Sequence, residues 1–351
     1  MRKWKILITL ALSLTVPAWT DEPAVKPDQN LPTQLRLIPP LQISDDWVFT
    51  VWGWSKADYR KQDSRPEDYQ FSQLRLNSKL QGPDMAFGLV LELADLQNDT
   101  SDNWLREVWA EVPAGFDGKL KLHGGFILLA CGRGYSIAGP FKWPTLDYPE
   151  CIPFASYGLG VQMLYESKAW QAIWDITGKT GLTFDSGQLF DRLESSAMVK
   201  RKFDQGFVGL TGQVSEDFAR GGVFAEYNPK PWFIRAELDG SHYTDNRTSN
   251  QVGGYLLAGV QPCDWFRFSL IGMVNRQLPK YWTEVSVNQD KTGKVTTNVE
   301  QKHSPDTTDE TVGLIAEFIS PRQLLSVKAG YYWPLEDNKD GWFGGEVQVR
   351  F

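Results

Sequence analysis

The feature that most constrains this chain is a period of two. From residue 46 to Phe351, apolar residues recur at every second position in short segments separated by turn residues. In the last segment Phe343, Gly345, Val347, Val349 and Phe351 form one set, and Trp342, Gly344, Glu346, Gln348 and Arg350 form the other. Successive strand residues point to opposite faces, so this segment is a strand with one apolar side. The same division recurs along the chain. Leu74, Leu76 and Leu80 oppose Gln73, Arg75, Asn77 and Lys79, and Leu120, Leu122, Phe126 and Leu128 oppose Lys121 and His123. Ile234, Ala236 and Leu238 oppose Arg235, Glu237 and Asp239, and Leu325, Val327, Ala329 and Tyr331 oppose Ser326, Lys328 and Tyr332.

The pattern predicts strands at about 46–58, 69–81, 85–96, 103–113, 119–130, 157–166, 169–179, 194–204, 206–216, 220–228, 231–243, 250–261, 264–277, 308–319, 323–334 and 341–351. That makes about sixteen, an even number, as in single-chain bacterial outer-membrane barrels. Two architectures produce such strands. A soluble sandwich exposes the polar face, whereas a membrane barrel turns the apolar face to lipid and the polar face to its lumen. The connections separate the two. Short ones ("GPD", "ESKA", "NPKP", "PCD", "SPRQ") alternate with mostly longer, polar ones ("YRKQDSRPED", "GLTFDSGQLFD", "TDNRTSN", "EDNKDG"). Barrels have short periplasmic turns and longer external loops, while a sandwich has no reason to keep that parity. The expected fold is therefore all-β: a transmembrane antiparallel β-barrel of about sixteen strands.

No stretch after the first residues approaches the ~20 continuous apolar residues of a membrane helix. Hydropathy alone would describe a secreted soluble protein. However, 15 Trp, 12 Tyr and 19 Phe suit the aromatic girdles of a barrel. Residues 1–18 read as a signal peptide: Arg2, Lys3 and Lys5, then an apolar Ile6–Val16, then the small-residue site around Ala18. Its removal takes the formal net charge from −7 to −10, which argues against a nucleic-acid partner. Residues 19–45 are polar and Pro-rich and are expected to form a periplasmic arm with little regular structure. The barrel is expected over 46–351.

A charge at the lipid midplane costs ~2–4 kcal/mol, so the charged sets must face inward. The expected lumen wall then carries Arg75, Lys79, Lys121, Lys200, Lys202, Arg235, Arg267, Lys328 and Arg350 against Glu92, Glu107, Glu111, Asp175, Glu226, Glu237, Asp239, Glu317 and Glu346. Rings of one sign would make a selective pore, and this balance predicts weak selectivity. Two connections stand out. One is about 131–156. The other, about 278–307, alternates around "DKTG" and reads as a hairpin extending its flanking strands.

The signal peptide, sixteen strands, long connection after the fifth strand and terminal Phe resemble Gram-negative outer-membrane porins. The run "WLREVWAEVPAGFDGKLKLHGGFILLACG" is similar to the phosphate-selective porin family. The resemblance covers about 46–351 and implies that 131–156 folds into the lumen and narrows it. Arg133, Lys142, Asp147 and Glu150 would then stand at the constriction, and the protein would be a homotrimer. It also implies that Phe351 is the signal read by the barrel-assembly machinery. The chain departs from the family in having no ladder of inward arginines climbing one wall.

Cys131 and Cys151 bracket the long connection. The cell surface and periplasm permit a disulfide, which could contribute ~3 kcal/mol here, and two thiols are the alternative. Cys263 is left over, and no metal-ligand spacing is present. Ser241 and His242 are adjacent in a strand, so they point to opposite faces and do not form a nucleophile–base pair. The sequence therefore reads as a channel for passive diffusion of small hydrophilic solutes or ions across the outer membrane, without cofactor or catalysis. The alternatives are a plugged barrel serving as adhesin or structural protein, and an outer-membrane enzyme.

Overall fold

The computed structural model describes residues 39–62, 68–92, 105–131, 146, 157–178, 193–245, 248–289, 295–304, 306–320, 324–336 and 339–350. The strands, in chain order, are β1 (Leu41–Ser44), β2 (Trp47–Gln62), β3 (Asp68–Gln81), β4 (Ala86–Glu92), β5 (Leu105–Gly115), β6 (Leu120–Leu128), β7 (Tyr157–Glu166), β8 (Trp170–Gly178), β9 (Leu193–Phe203) and β10 (Gly206–Val214). They continue as β11 (Phe218–Tyr227), β12 (Trp232–Tyr243), β13 (Asn250–Cys263), β14 (Phe266–Leu278), β15 (Tyr281–Gln289), β16 (Val295–His303), β17 (Thr307–Ile319), β18 (Leu325–Pro334) and β19 (Trp342–Arg350).

Each strand from β2 to β14 pairs antiparallel with its sequence neighbour, β14 pairs with β17, and β19 returns to β2. The closing ladder runs from Trp342↔Gln62 to Arg350↔Trp54. Closure leaves no unpaired edge among these sixteen strands. The hairpin β15–β16 stands apart as its own two-stranded sheet, with Val285 opposite Val299. Its tip, around "DKTG", lies outside the described residues.

Residues 41–44, at the end of the polar arm, form a short strand. They form β1, which pairs with the first residues of β2, Leu41 opposite Phe49. The Gln42 side-chain amide closes this turn by donating to the carbonyls of Ser44 and Asp45, at 2.5 and 3.2 Å.

One end of the barrel carries the short turns. Gly82 N–H donates to the Met85 carbonyl between β3 and β4 (2.8 Å). Between β5 and β6 the chain reverses through Phe116, Asp117 and Gly118 at φ of 51°, 54° and 78°. Ser320 Oγ accepts the N–H groups of Leu324 and Leu325 between β17 and β18. At the other end the connections are longer, with one exception. Residues 215–217 join β10 to β11 tightly because Ser215 Oγ accepts the N–H groups of Asp217 and Phe218.

The two faces differ sharply in chemistry. Leu89, Val108, Val161, Ile176, Val199, Leu210, Val223, Ile234, Leu238, Leu256, Leu270 and Val347 all point outward and are exposed. Among the described residues no sheet packs over them, and a soluble monomer rarely exposes an apolar patch beyond a few hundred Å². The soluble-sandwich alternative fails on this closure. At the short-turn end, aromatic rings flank the apolar band. Trp47 stacks near Phe87, Phe116 meets Tyr165 edge-on, and Trp265 lies against Phe266 and Phe318. Phe203, Tyr227 and Trp232 continue the belt, exposed. Arg201 lies over the Trp170 and Phe203 rings there, its stem along apolar surface and its charge at the interface.

Candidate functional site: the barrel interior

The alternation that leaves aliphatic side chains outside places the charged ones inside, and the structure shows how they are disposed. On β3 to β6, Arg75 pairs with Glu107 (3.0 Å), Arg106 with Glu92 (3.3 Å) and Lys121 with Glu111 (2.9 Å). His123 also bonds Glu111 and stacks on Trp109, ring centroids 4.7 Å apart. Lys79 lies within electrostatic reach of both Glu111 and Lys121.

On β11 to β19 the pairing continues. Arg235 Nε meets Glu226 (2.6 Å), and Arg267 meets Glu317 (3.1 Å). Ser326 Oγ donates to the other Glu317 oxygen, and Tyr255 donates to Glu237 (3.2 Å). Lys328 and Lys56 share Glu346, at 2.6 and 2.9 Å. Among the described residues these cations and anions are matched within the wall, mostly between neighbouring strands, with Arg75 reaching past β4 to Glu107 on β5.

Three features of this interior were missing from the sequence reading. First, the wall has an apolar sector. Phe233, Tyr255, Leu257, Ile271, Ile315, Tyr332 and Trp342 form one buried cluster on the inward positions of β12 to β14 and β17 to β19. Tyr332 and Trp342 stack with centroids 4.3 Å apart, and the Arg60 guanidinium lies 4.0 Å from the Trp342 centroid. The signal was present in "FRFSLIGMVN", where Ile271 and Met273 interrupt the polar set that Arg267, Ser269 and Asn275 belong to.

Second, the chain leaves the wall where β6 ends. Ala130 N–H donates to Asp175 Oδ2 on β8 (2.7 Å), and the Ala130 carbonyl accepts from Thr211 Oγ1 on β10 (3.1 Å). Both partners are inward-facing, on strands two and four places from β6. Asp175 also accepts from the Ser196 hydroxyl and N–H. Leu129 and Ala130 are fully buried. Third, Leu146 rests on the apolar sector. Its N–H donates to the Tyr332 hydroxyl (2.9 Å), and its side chain packs against the Phe233–Trp342 cluster. No motif announces Ala130 or Leu146, since their partners are far away in sequence.

Arg133, Lys142, Asp147, Glu150, Cys151 and Phe351 lie outside the described residues. Cys131 is buried at the end of β6. Ser241 is buried on the inward face of β12 while its neighbour His242 is exposed on the outward side. Among the described residues no three His, Cys, Asp or Glu side chains gather as a metal site would need.

No protein-family model matches the chain, and no curated protein matches it in sequence. Solved structures do match in fold. OmpT, an outer membrane protein of Vibrio cholerae folded in vitro and solved as a trimer, superposes with a TM-score of 0.59 at 12% identity, over 88% of this chain and all of that one. OmpF of Salmonella typhi, in complex with daunomycin, gives 0.60 at 10% identity over 89% and 100% of the two chains. An anion-selective porin from Comamonas acidovorans gives 0.59 at 10% identity over 87% and 100%. The architecture of this chain is that of the closed antiparallel barrels found in bacterial outer membranes.

Proposed function

We propose that this protein is an outer-membrane porin: a passive channel for small hydrophilic solutes or ions, narrowed by the 131–156 segment. The observation that carries the reading is the pair of contacts at Ala130 and Leu146. One holds the chain against β8 and β10. The other holds it against β18, whose Tyr332 belongs to the cluster shared with β19. These strands lie on different sides of a sixteen-strand ring, which supports the reading that the intervening segment crosses the interior. The charges of that segment, Arg133, Lys142, Asp147 and Glu150, would then face the solute path. A Cys131–Cys151 bridge would tie the base of the crossing.

The rest follows the same reading. Residues 1–18 serve as signal peptide, 19–45 remain periplasmic and 46–351 span the membrane. Phe351 adds the last outward aromatic beside β2 and is the element the assembly machinery engages. A homotrimer is favoured by the trimeric form of the V. cholerae neighbour. The phosphate-selective resemblance is carried no further than architecture. The paired wall charges favour weak discrimination between anions and cations, and the opposed faces of Ser241 and His242 speak against hydrolysis.

A second reading draws on a specific observation. Inward side chains such as Lys328, Glu317, Gln162 and Tyr332 are almost fully buried, as in a plugged barrel serving as adhesin or structural protein. Liposome swelling separates the two. Vesicles containing the purified barrel, placed in sugars of increasing size, should swell at rates that fall with solute size. Vesicles that swell no faster than protein-free ones would establish the plugged barrel instead.

A further inference from the structure

The outward face of the barrel is hollowed at its long-loop end. The hollow has a volume of about 410 Å³, and Ala219, Gly221, Gly240, His242, Asn250 and Leu278 line it. Gly221 lies opposite Gly240, Ala219 opposite His242, and Asn250 opposite Leu278. All six belong to the outward sets of β11 to β14, so the floor is bare backbone with side chains at its rim. Asn250 begins β13 and Leu278 ends β14, which puts the hollow where hydrocarbon gives way to headgroups. The fold does not require these glycines. Neither has a positive φ, and a Cβ added at Gly221 or Gly240 would find its nearest neighbour at 3.4 or 3.7 Å, an ordinary contact. What glycine does here is leave the hollow open.

A fixed cation stands at the external end of the hollow. Lys280, just beyond Leu278, reaches from the end of β14 to the β12–β13 connection, where its Nζ donates to the carbonyls of Tyr243 and Asp245, the latter at 2.9 Å. Tyr243 is the neighbour of His242, so the ammonium sits at the rim between two lining residues. Both acceptors are neutral, and an ammonium has three donors, so the charge and one N–H remain for an anion. Arg276, the next outward residue below Leu278, is exposed and lies opposite Val252 and Thr308. The outward carboxylate of Glu310 lies opposite Val274 instead, and Glu216 and Asp217 stand at the far, β10–β11 end. The β14 side is therefore the positive one. An anionic headgroup with an acyl chain matches a cation at headgroup level beside an apolar groove. A second barrel would bring its own aliphatic outward residues and leave these cations unanswered.

We propose that this hollow holds one acyl chain of a phosphorylated lipid of the outer leaflet, with the phosphate on Lys280. The chain lies over Gly221 and Gly240. The phosphate accepts from Lys280 Nζ, and Arg276 adds a second positive charge on the same side. The choice of leaflet rests on the orientation in the channel reading, with long connections outside; the site does not depend on conduction.

The test is native mass spectrometry of the folded full-length barrel, released from non-ionic detergent after mixing with tetradecanoyl lysophosphatidate. Tetradecanoylglycerol, which has the chain without the phosphate, and inorganic phosphate are the comparisons. The wild type should retain lysophosphatidate at least tenfold better than tetradecanoylglycerol, and inorganic phosphate should not be retained. Gly240→Leu, which fills the hollow, should lower lysophosphatidate retention at least tenfold. Ala236→Leu, outward on the same strand but outside the hollow, should leave it unchanged. Lys280→Met should bring lysophosphatidate down to the level of tetradecanoylglycerol. Heat-modifiable gel mobility verifies that each variant is folded. Equal retention of the two lipids, undiminished retention by Gly240→Leu, or no retention by the folded wild type would overturn the site. A wild type that retains no lipid but whose oligomer mass falls in Gly240→Leu would overturn it in favour of a second copy seated there. Conductance of the same preparation is a separate reading: lipid retention without conduction defeats only the channel, and conduction without retention defeats only the lipid site.

Discussion

Replacing Glu346 with Gln asks whether the interior wall is dry. Glu346 Oε1 lies 2.6 Å from Lys328 Nζ and its Oε2 lies 2.9 Å from Lys56 Nζ. The side chains of Lys328 and Glu346 are 1% and 3% exposed, whereas Lys56 is 23% exposed and also reaches Asp58. Glu346→Gln keeps the shape and removes the charge, so Lys56 retains Asp58 while Lys328 loses its counter-ion in a buried position. Breaking a buried pair from one side costs about 3–5 kcal/mol, against about 0–1 kcal/mol for an exposed pair. Replacing both partners, Lys328→Met with Glu346→Leu, should recover most of the loss, because no uncompensated charge remains. The assay is urea unfolding of the barrel in phospholipid vesicles, followed by its Trp fluorescence. A Glu346→Gln variant within about 1 kcal/mol of wild type would mean that water reaches Lys328. That result would refute the tightly covered wall on this side of the interior.

Other expectations follow from the same contacts. Tyr332→Phe removes the acceptor for Leu146 N–H and should cost about 1–3 kcal/mol if that amide stays buried, and open-channel current noise should rise in single-channel records. Unchanged noise and stability would detach Leu146 from the narrowing. Asp175→Ala strips acceptors from Ala130 and Ser196 and should both destabilise the barrel and raise conductance; an unchanged conductance would mean that the end of β6 does not set the pore. Deleting Phe351 should lower the amount of assembled barrel in the outer membrane without changing the conductance of what assembles, as measured by heat-modifiable mobility. Wild-type assembly would remove that residue as a signal. Charge reversal at Arg133 or Lys142 should shift the cation-to-anion permeability ratio, and no shift at either would take both away from the solute path.

Much of the barrel was legible because the membrane imposes a strict rule on it. Lipid excludes charge, so every second residue from Leu74 to Val349 reports its face directly. The sixteen strands and the β15–β16 hairpin fall close to where alternation and turn chemistry place them. Local rules also explain why the short strand at 41–44 was not visible in the sequence. Four residues are too few to show a period, and they become a strand only because the start of β2 offers them a partner.

The interior was less legible. Parity assigns Lys328 and Glu346 to the inward set, yet their ion pair depends on register between β18 and β19. The apolar sector around Tyr332 was hidden because an inward aromatic looks like any other break in alternation. The seats of Ala130 and Leu146 join residues up to 186 positions apart, which no local pattern encodes.

The most direct test of the account is single-channel conductance of the purified barrel in a planar bilayer under a salt gradient. The account predicts steady conductance steps and a reversal potential near zero, because the wall charges are paired. A folded barrel that inserts and never conducts would contradict it.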